Sequence, residues 1–399
     1  MFFANRLQKI KESPTLSLSA LVNNLKSQGQ DIIDFGVGEP SFNTPDFAKQ
    51  GGIEAIHKNM TRYTAIDGTT ALKDAIIKKF QKDNNLTYNR KQITVGTGAK
   101  QVIFNTMMAT LNFGDEVIIP TPYWVSYPDM VQVADGTPVF IECTQENNFK
   151  LKAEDLEKAI TPKTKWLFLN SPSNPTGMVY TKEELRKIAD VLLKHEQIWI
   201  LTDDIYEYLI YDNKKFFNIL NIEPKLYYRT LVLNGVSKSH AMTGWRIGFG
   251  AGPEDLIKNI SKIQSHSTSN PSSISQEAAR TALEGDLHFF TEWKKAYIRR
   301  RDLAFSILSQ SQYLNVIKPD GAFYIFANSA KTIGLKKPSK FKIENDGDLC
   351  KYILEEGKVG VVPGSAFGLA NHFRISYVAD DKIVEEGCKR IVETLKKLS

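Results

Sequence analysis

The chain has 399 residues, enough for a large core and a second, smaller domain beside it. Its 51 basic and 45 acidic residues leave a net charge of +6, scattered with no basic run interleaved with aromatics, which argues against a nucleic-acid groove. Three distant cysteines and six dispersed histidines offer neither a disulfide framework nor metal-ligand spacing, and no apolar run approaches membrane-spanning length. The N-terminus "MFFANRLQKIKES" lacks a signal-peptide core. The expectation is a cytoplasmic protein with no metal, nucleic acid or membrane partner.

In chain order, Thr44 and Pro45 read as an N-cap and first helical residue opening "PDFAKQGGIEAIHKN". "TTALKDAIIKKFQKD" follows, with an apolar helical face through Leu72, Ile76 and Phe80. Candidate strands then alternate with helices: 93–95, 116–120, 165–170, 198–203, 230–234 and 247–252. Among the helices, Thr181–His195 carries a capping box of Thr181 and Glu184. That alternation predicts a mostly parallel sheet covered on both faces, with ligands at the carboxyl ends of its strands. After residue 290 come a long charged helix ("EWKKAYIRRRDLAFSILSQ"), the strand-like "GAFYIF", "VGVVPG" and "FRISY", and a final amphipathic helix. These predict an α+β domain of residues 13–44 plus 291–399, a large domain of 45–290 and an N-terminal arm of 1–12. Residues 334–346 read as a solvated loop.

The polar residues collect at strand ends. "VGTGAKQ" fails both nucleotide-loop patterns, and its glycines before a helix suit either an anion or a plain tight turn. "NSPSNPTG" places Asn174 between restricted positions, as a turn alone would. "LTDDIYEYL" sets two carboxylates and Tyr206 at the end of a buried strand, where a salt bridge or helix cap is an equal reading. Trp124 follows another strand in "TPYWVSY", and Arg374 sits in the apolar "FRISY", where a buried guanidinium needs an anion. "GVSKSHAMTGWRIG" places Lys238 among small residues and Arg246 eight positions later, with no carboxylate in the stretch to pair them.

That last stretch resembles the pyridoxal-phosphate attachment signature of the class I aminotransferases. "VGEPSFNTP", "PYWVSY", "SPSNPTG", "TDDIYE" and "FRISY" are similar to further motifs of the family at comparable spacings, over essentially the whole chain. The similarity is greatest to the bacterial aspartate aminotransferases, some of which also use prephenate. The resemblance implies the α/β aspartate aminotransferase-like fold, with a mostly parallel seven-stranded sheet and a smaller α+β domain. It also implies transamination between L-aspartate and 2-oxoglutarate, and a homodimer with shared sites. Pyridoxal 5'-phosphate is the implied cofactor, and an amino acid and a 2-oxo acid are the implied substrates.

Residue by residue, the resemblance implies that Lys238 forms the Schiff base and shuttles the Cα proton, and that Asp203, three residues before Tyr206, pairs with the ring nitrogen. It assigns Tyr206 and Asn174 to the ring's phenolic oxygen and Trp124 to its face. Arg246, Ser237, Gly98, Ala99 and Lys100 fall at the phosphate, joined by Tyr63 of "RYTAIDG" from a neighbouring subunit. Arg374, helped by Gly38, would clamp the substrate α-carboxylate. Lys100 would read the distal carboxylate, and Lys11 matches a position linked to prephenate. Gly235 departs from the pattern, standing where relatives carry a hydroxyl that Ser237 would have to replace. Other amino acids as donors, a lyase on the same cofactor, or a non-catalytic protein keeping the fold are the alternatives.

Overall fold

The computed structural model describes residues 2–10, 12–337 and 342–399; Lys11 lies outside them. The first strand is β1 (Ile33–Asp34). Seven more follow in chain order: β2 (Ile93–Thr97), β3 (Glu116–Thr121), β4 (Thr137–Glu142), β5 (Thr164–Asn170), β6 (Trp199–Asp203), β7 (Thr230–Gly235) and β8 (Ile247–Ala251). These seven form one sheet in the order β2-β8-β7-β6-β5-β3-β4. Only β8 is antiparallel to its neighbours. The antiparallel course matters, because the start of β8 then lies at the same sheet edge as the ends of β2 and β7. Thr97 faces Ile247 and Gly235 faces Gly248 in the register.

The period-2 alternation of the strands splits their side chains between two cores. Ile118, Leu167, Leu169, Ile200 and Val232 pack on one face; Val117, Ile119, Trp166, Phe168, Leu201, Leu231 and Leu233 pack on the other. The expected strand set lacked β4. Its sequence is half exposed, contains Pro138 and pairs only with β3 at the sheet edge, so it carries no buried apolar run to betray it.

Helix α1 (Pro14–Ser27) precedes β1, and α2 (Asp46–His57), α3 (Thr70–Asn84) and α4 (Ala99–Thr110) follow it. Leu72, Ile76 and Phe80 are fully buried, and the side chain of Thr69 caps α3 by accepting from Leu72 N. Thr181 caps 182–193 through the expected box with Glu184. Thr44 does not cap α2. The N-cap is Pro45, and the Thr44 hydroxyl instead donates to Ala241 O and accepts from Trp245 Nε1. A tertiary partner outbids the local helix end there.

The smaller domain is built on β9 (Asn315–Val316), β10 (Tyr324–Asn328), β11 (Val359–Gly360), β12 (Val362–Pro363) and β13 (His372–Ser376). Four of them form a sheet in the order β12-β13-β10-β9, while β11 pairs in parallel with β1 and ties the early segment to the late one. Its core gathers Phe35, Tyr297, Phe323, Tyr352, Ile375 and Ile391 under the long helix His288–Leu308 and the final helix Asp381–Lys396. Within the loop expected to be solvated, Ile343 is fully buried in this core. No helix among the described residues is long and apolar enough to cross a membrane.

Candidate active site

A cleft of about 350 Å³ opens at the carboxyl edge of the large sheet, within the size range of small-ligand sites. Lys238, three residues beyond β7, lines it together with Asp203 and Tyr206, at and just beyond the end of β6. Asn170 and Asn174 come from the end of β5, Trp124 and Tyr127 follow β3, and Ala99 and Lys100 open α4. Arg246 arrives from the start of β8 and Arg374 from β13, across the cleft in the smaller sheet. Of the residues singled out in the sequence, Gly38 and Ser237 also face the cleft.

The charges here are shaped by burial. The Lys238 amine donates to Gly38 O at 2.6 Å, and burial pulls its pKa down to about 8, opposed by Glu39 and reinforced by Arg374 and Arg246. Burial pushes the Asp203 carboxyl up to about 6, against a 2.6 Å hydrogen bond from Tyr127 OH and the backbone N–H of Ile205. Asp204, its neighbour, faces away from the cleft and is held by Thr202 and Asn218 in the protein interior. Of the two adjacent carboxylates, Asp203 alone lines the cleft.

Arg374 is buried, lies 4.5 Å from the Tyr324 ring centroid, and donates from Nη1 to Asn174 Oδ1 (2.9 Å) and from Nη2 to Gly36 O (2.5 Å). Its Nε is buried with no hydrogen-bond partner among the described residues, and Nη1 and Nη2 each carry a second N–H that suits an anion. The carbonyl beside Arg374 is that of Gly36, while the Gly38 carbonyl accepts from Lys238. Tyr206 OH meets Tyr324 OH at 2.8 Å.

At the other end of the cleft the N-terminus of α4 meets Arg246 and Lys100. Gly98 is the N-cap of α4 at φ 79°, and a Cβ there would lie 2.2 Å from Arg246 Nη2, so glycine lets the guanidinium reach the helix N-terminus. Gly248 is needed still more, since its Cβ would come within 2.0 Å of Ala99 N. Lys100 is exposed as a residue, but its ammonium sits 4.9 Å from the Trp124 ring centroid, where desolvation and then Arg246 lower its pKa. A Cβ at Gly235 would meet Gly248, Ile205 and Ile247 at 3.1–3.2 Å, a tight fit that a side chain would enter only with shifts of a few tenths of an ångström.

The full chain compares closely with known proteins. The sequence pattern of the family "Aminotransferase class I and II" matches residues 30–391. The chain belongs to this family. A probable aspartate/prephenate aminotransferase of Rhizobium leguminosarum bv. phaseoli is 51% identical over 390 residues, 98% of each chain. An aspartate/prephenate aminotransferase of Cereibacter sphaeroides is 49% identical, again over 98% of each. The crystal structure of the aspartate aminotransferase of Rhizobium meliloti superposes with a TM-score of 0.96 at 48% identity, covering 100% of both chains.

In this aminotransferase, sequence reasoning missed Tyr127, Tyr324 and Asn170. Asn170 joins two strand ends, donating to Asp203 O and accepting from Asn174 N. Tyr127 was visible as the last letter of "TPYWVSY", but nothing local aims its hydroxyl at Asp203. Tyr63 lies outside the cleft, 91% exposed on the surface of its own aminotransferase chain.

Proposed function

We propose that the chain transfers the amino group of L-aspartate to 2-oxoglutarate, and accepts prephenate as a further oxo acid, with pyridoxal 5'-phosphate bound in the cleft. The observation that carries this reading is a buried amine of near-neutral proton affinity, Lys238, set between a buried carboxylate and a buried arginine with a vacant donor. The named activities of close relatives support the choice of aspartate and prephenate.

When bound, pyridoxal phosphate supplies an aldehyde for an amine and an electron-withdrawing ring. The residues around the cleft fit such a group. Asp203, anionic above about pH 6, suits a protonated ring nitrogen; the Tyr206 hydroxyl and the Nδ2 of Asn174, whose Oδ1 is taken by Arg374, suit the ring hydroxyl. Trp124 offers a ring face. Arg246, Ser237 and the N–H groups of Ala99 and Lys100 beyond Gly98 suit the phosphate.

Lys238 is placed to take the aldehyde as an amine, and to carry a proton from the substrate Cα once released. Arg374 grips the α-carboxylate through its guanidinium in the cleft wall, and Lys100 at the rim reads the distal one. Tyr63 contributes from a second copy of the chain in a homodimer. In this reading residues 13–44 and 291–399 act as one domain against 45–290.

A panel of amino donors and oxo-acid acceptors, including prephenate, tests the reading. Aspartate should bleach the cofactor band while alanine does not, and Lys238→Ala should abolish both the band and turnover. Lys100→Ala should raise KM for aspartate far more than for an aromatic amino acid. A Lys238→Ala chain with near-normal turnover would overturn the assignment.

A further inference from the structure

Residues 36–39 line the cleft, and the chain runs on from them through Thr44 as a strap. Its carbonyls at Gly36 and Gly38 hold Arg374 and Lys238, and Thr44 holds the far turn through Ala241 O (2.8 Å) and Trp245 Nε1 (3.1 Å). Between these ties the Glu39 carboxylate accepts a hydrogen bond from the Thr243 hydroxyl. The carbonyl of Thr243 in turn accepts from Arg246 Nη1 at 2.8 Å, while the other contact of that guanidinium, to Thr97 O, is a long 3.5 Å.

Arg246 itself stands at φ 56°, a left-handed conformation that residues other than glycine keep only when their surroundings hold them there. The turn before it is open on its outer side, with nothing within 4 Å of a Cβ added at Gly244. Met242 and Trp245 anchor the turn on the core, and the strap braces its cleft side through Glu39 and Thr44.

We propose that Glu39 and Thr243 form a clamp that positions Arg246 at the anion end of the cleft, with Glu39 acting through Thr243 rather than touching the ligand. The inference rests on the reading above that Arg246 holds the phosphate. Charge alone argues the opposite way: a carboxylate near an anion site repels the anion, so its removal would tighten binding. A clamp predicts that its removal weakens binding.

Calorimetric titration of inorganic phosphate into the full, cofactor-free chain separates the two, with thermal melting of each variant run alongside. Glu39→Ala and Thr243→Val should each weaken phosphate about tenfold, and the double variant should be no weaker than either single one, because both break the same link. Glu39→Gln and Thr243→Ser, which keep an acceptor and a hydroxyl, should stay within about twofold of wild type with unchanged melting. Unchanged or tighter binding in Glu39→Ala, or additive losses in the double variant, would overturn the clamp. Arg246→Ala separates this from the underlying reading. If it binds phosphate as well as wild type, the phosphate role of Arg246 falls and the clamp with it. If it weakens binding while the clamp variants do not, only the clamp falls.

Discussion

Burial holds the Lys238 amine near 8 rather than 10.5, and that displacement sets when it can act. Only the neutral amine attacks an aldehyde. Capture of pyridoxal phosphate by the cofactor-free chain should therefore accelerate about tenfold per pH unit up to pH 8 and level off above it. Stopped-flow absorbance measures this, and a rate still climbing through pH 10 would show an amine exposed to water. Arg374 poses a different problem at the same scale. Nη1 and Nη2 already donate to Asn174 and Gly36, so in the proposed role the guanidinium meets a carboxylate with the N–H groups those two partners leave free. A lysine cannot reproduce that fork while also keeping those two partners. Arg374→Lys should lose about 1.5–3 kcal/mol of charged hydrogen bonding, or about 10- to 150-fold in kcat/KM for every amino donor. Equal losses across donors in steady-state assays mark the shared α-carboxylate; a loss confined to aspartate would place Arg374 at the distal carboxylate instead.

Helix α3 shows how much of the support of the site escapes a reading of pattern. Its apolar face through Leu72, Ile76 and Phe80 is legible, and by the same pattern Lys79 belongs to a charged, solvated flank. Yet Lys79 is buried, paired with Glu207 from the segment after β6, and bonded to Asn84 Oδ1 at 2.6 Å. Asn234, at the end of β7, donates to the same carboxylate at 2.8 Å. The ends of the two strands that lead to Asp203 and Lys238 are thus tied to α3. No local period records a partner so far along the chain, just as none records that Tyr127 meets Asp203. Lys238, Asp203, Asn174 and Arg374 were legible for the opposite reason: each is a polar intrusion into an apolar run, or a member of a tight motif. Lys79→Met leaves the Glu207 carboxylate buried without its cation, and should lower the unfolding free energy by about 3–5 kcal/mol. Adding Glu207→Gln should recover part of that loss in denaturant titrations, since the two changes share one interaction. Full additivity would mean that the pair is not coupled.

For the molecule as a whole, the open question posed by the structure is the place of Tyr63. The loop that carries it is fastened on both sides: Ser273 Oγ donates to Met60 O, Gln276 Nε2 to Thr64 Oγ1, and Gln264 Nε2 to Ile66 O. A phenol ring 91% exposed on so well-held a loop is presented, not loose. Ile53, Ile56 and Met60 nearby are exposed apolar side chains as well, a surface suited to a second copy. If Tyr63 completes the cleft of a partner, the two chains can be made to rescue each other. In a hybrid of one Lys238→Ala subunit and one Tyr63→Ala subunit, one cleft carries both lesions and the other carries neither. The hybrid should then show about half of wild-type activity and one site of wild-type cofactor affinity, although the Lys238→Ala homodimer is inactive and the Tyr63→Ala homodimer binds the cofactor weakly. If Tyr63 served its own chain, the only cleft with a lysine would still lack the tyrosine, and its cofactor affinity would stay at that of the Tyr63→Ala homodimer. Cofactor titration of the purified hybrid distinguishes the two arrangements directly.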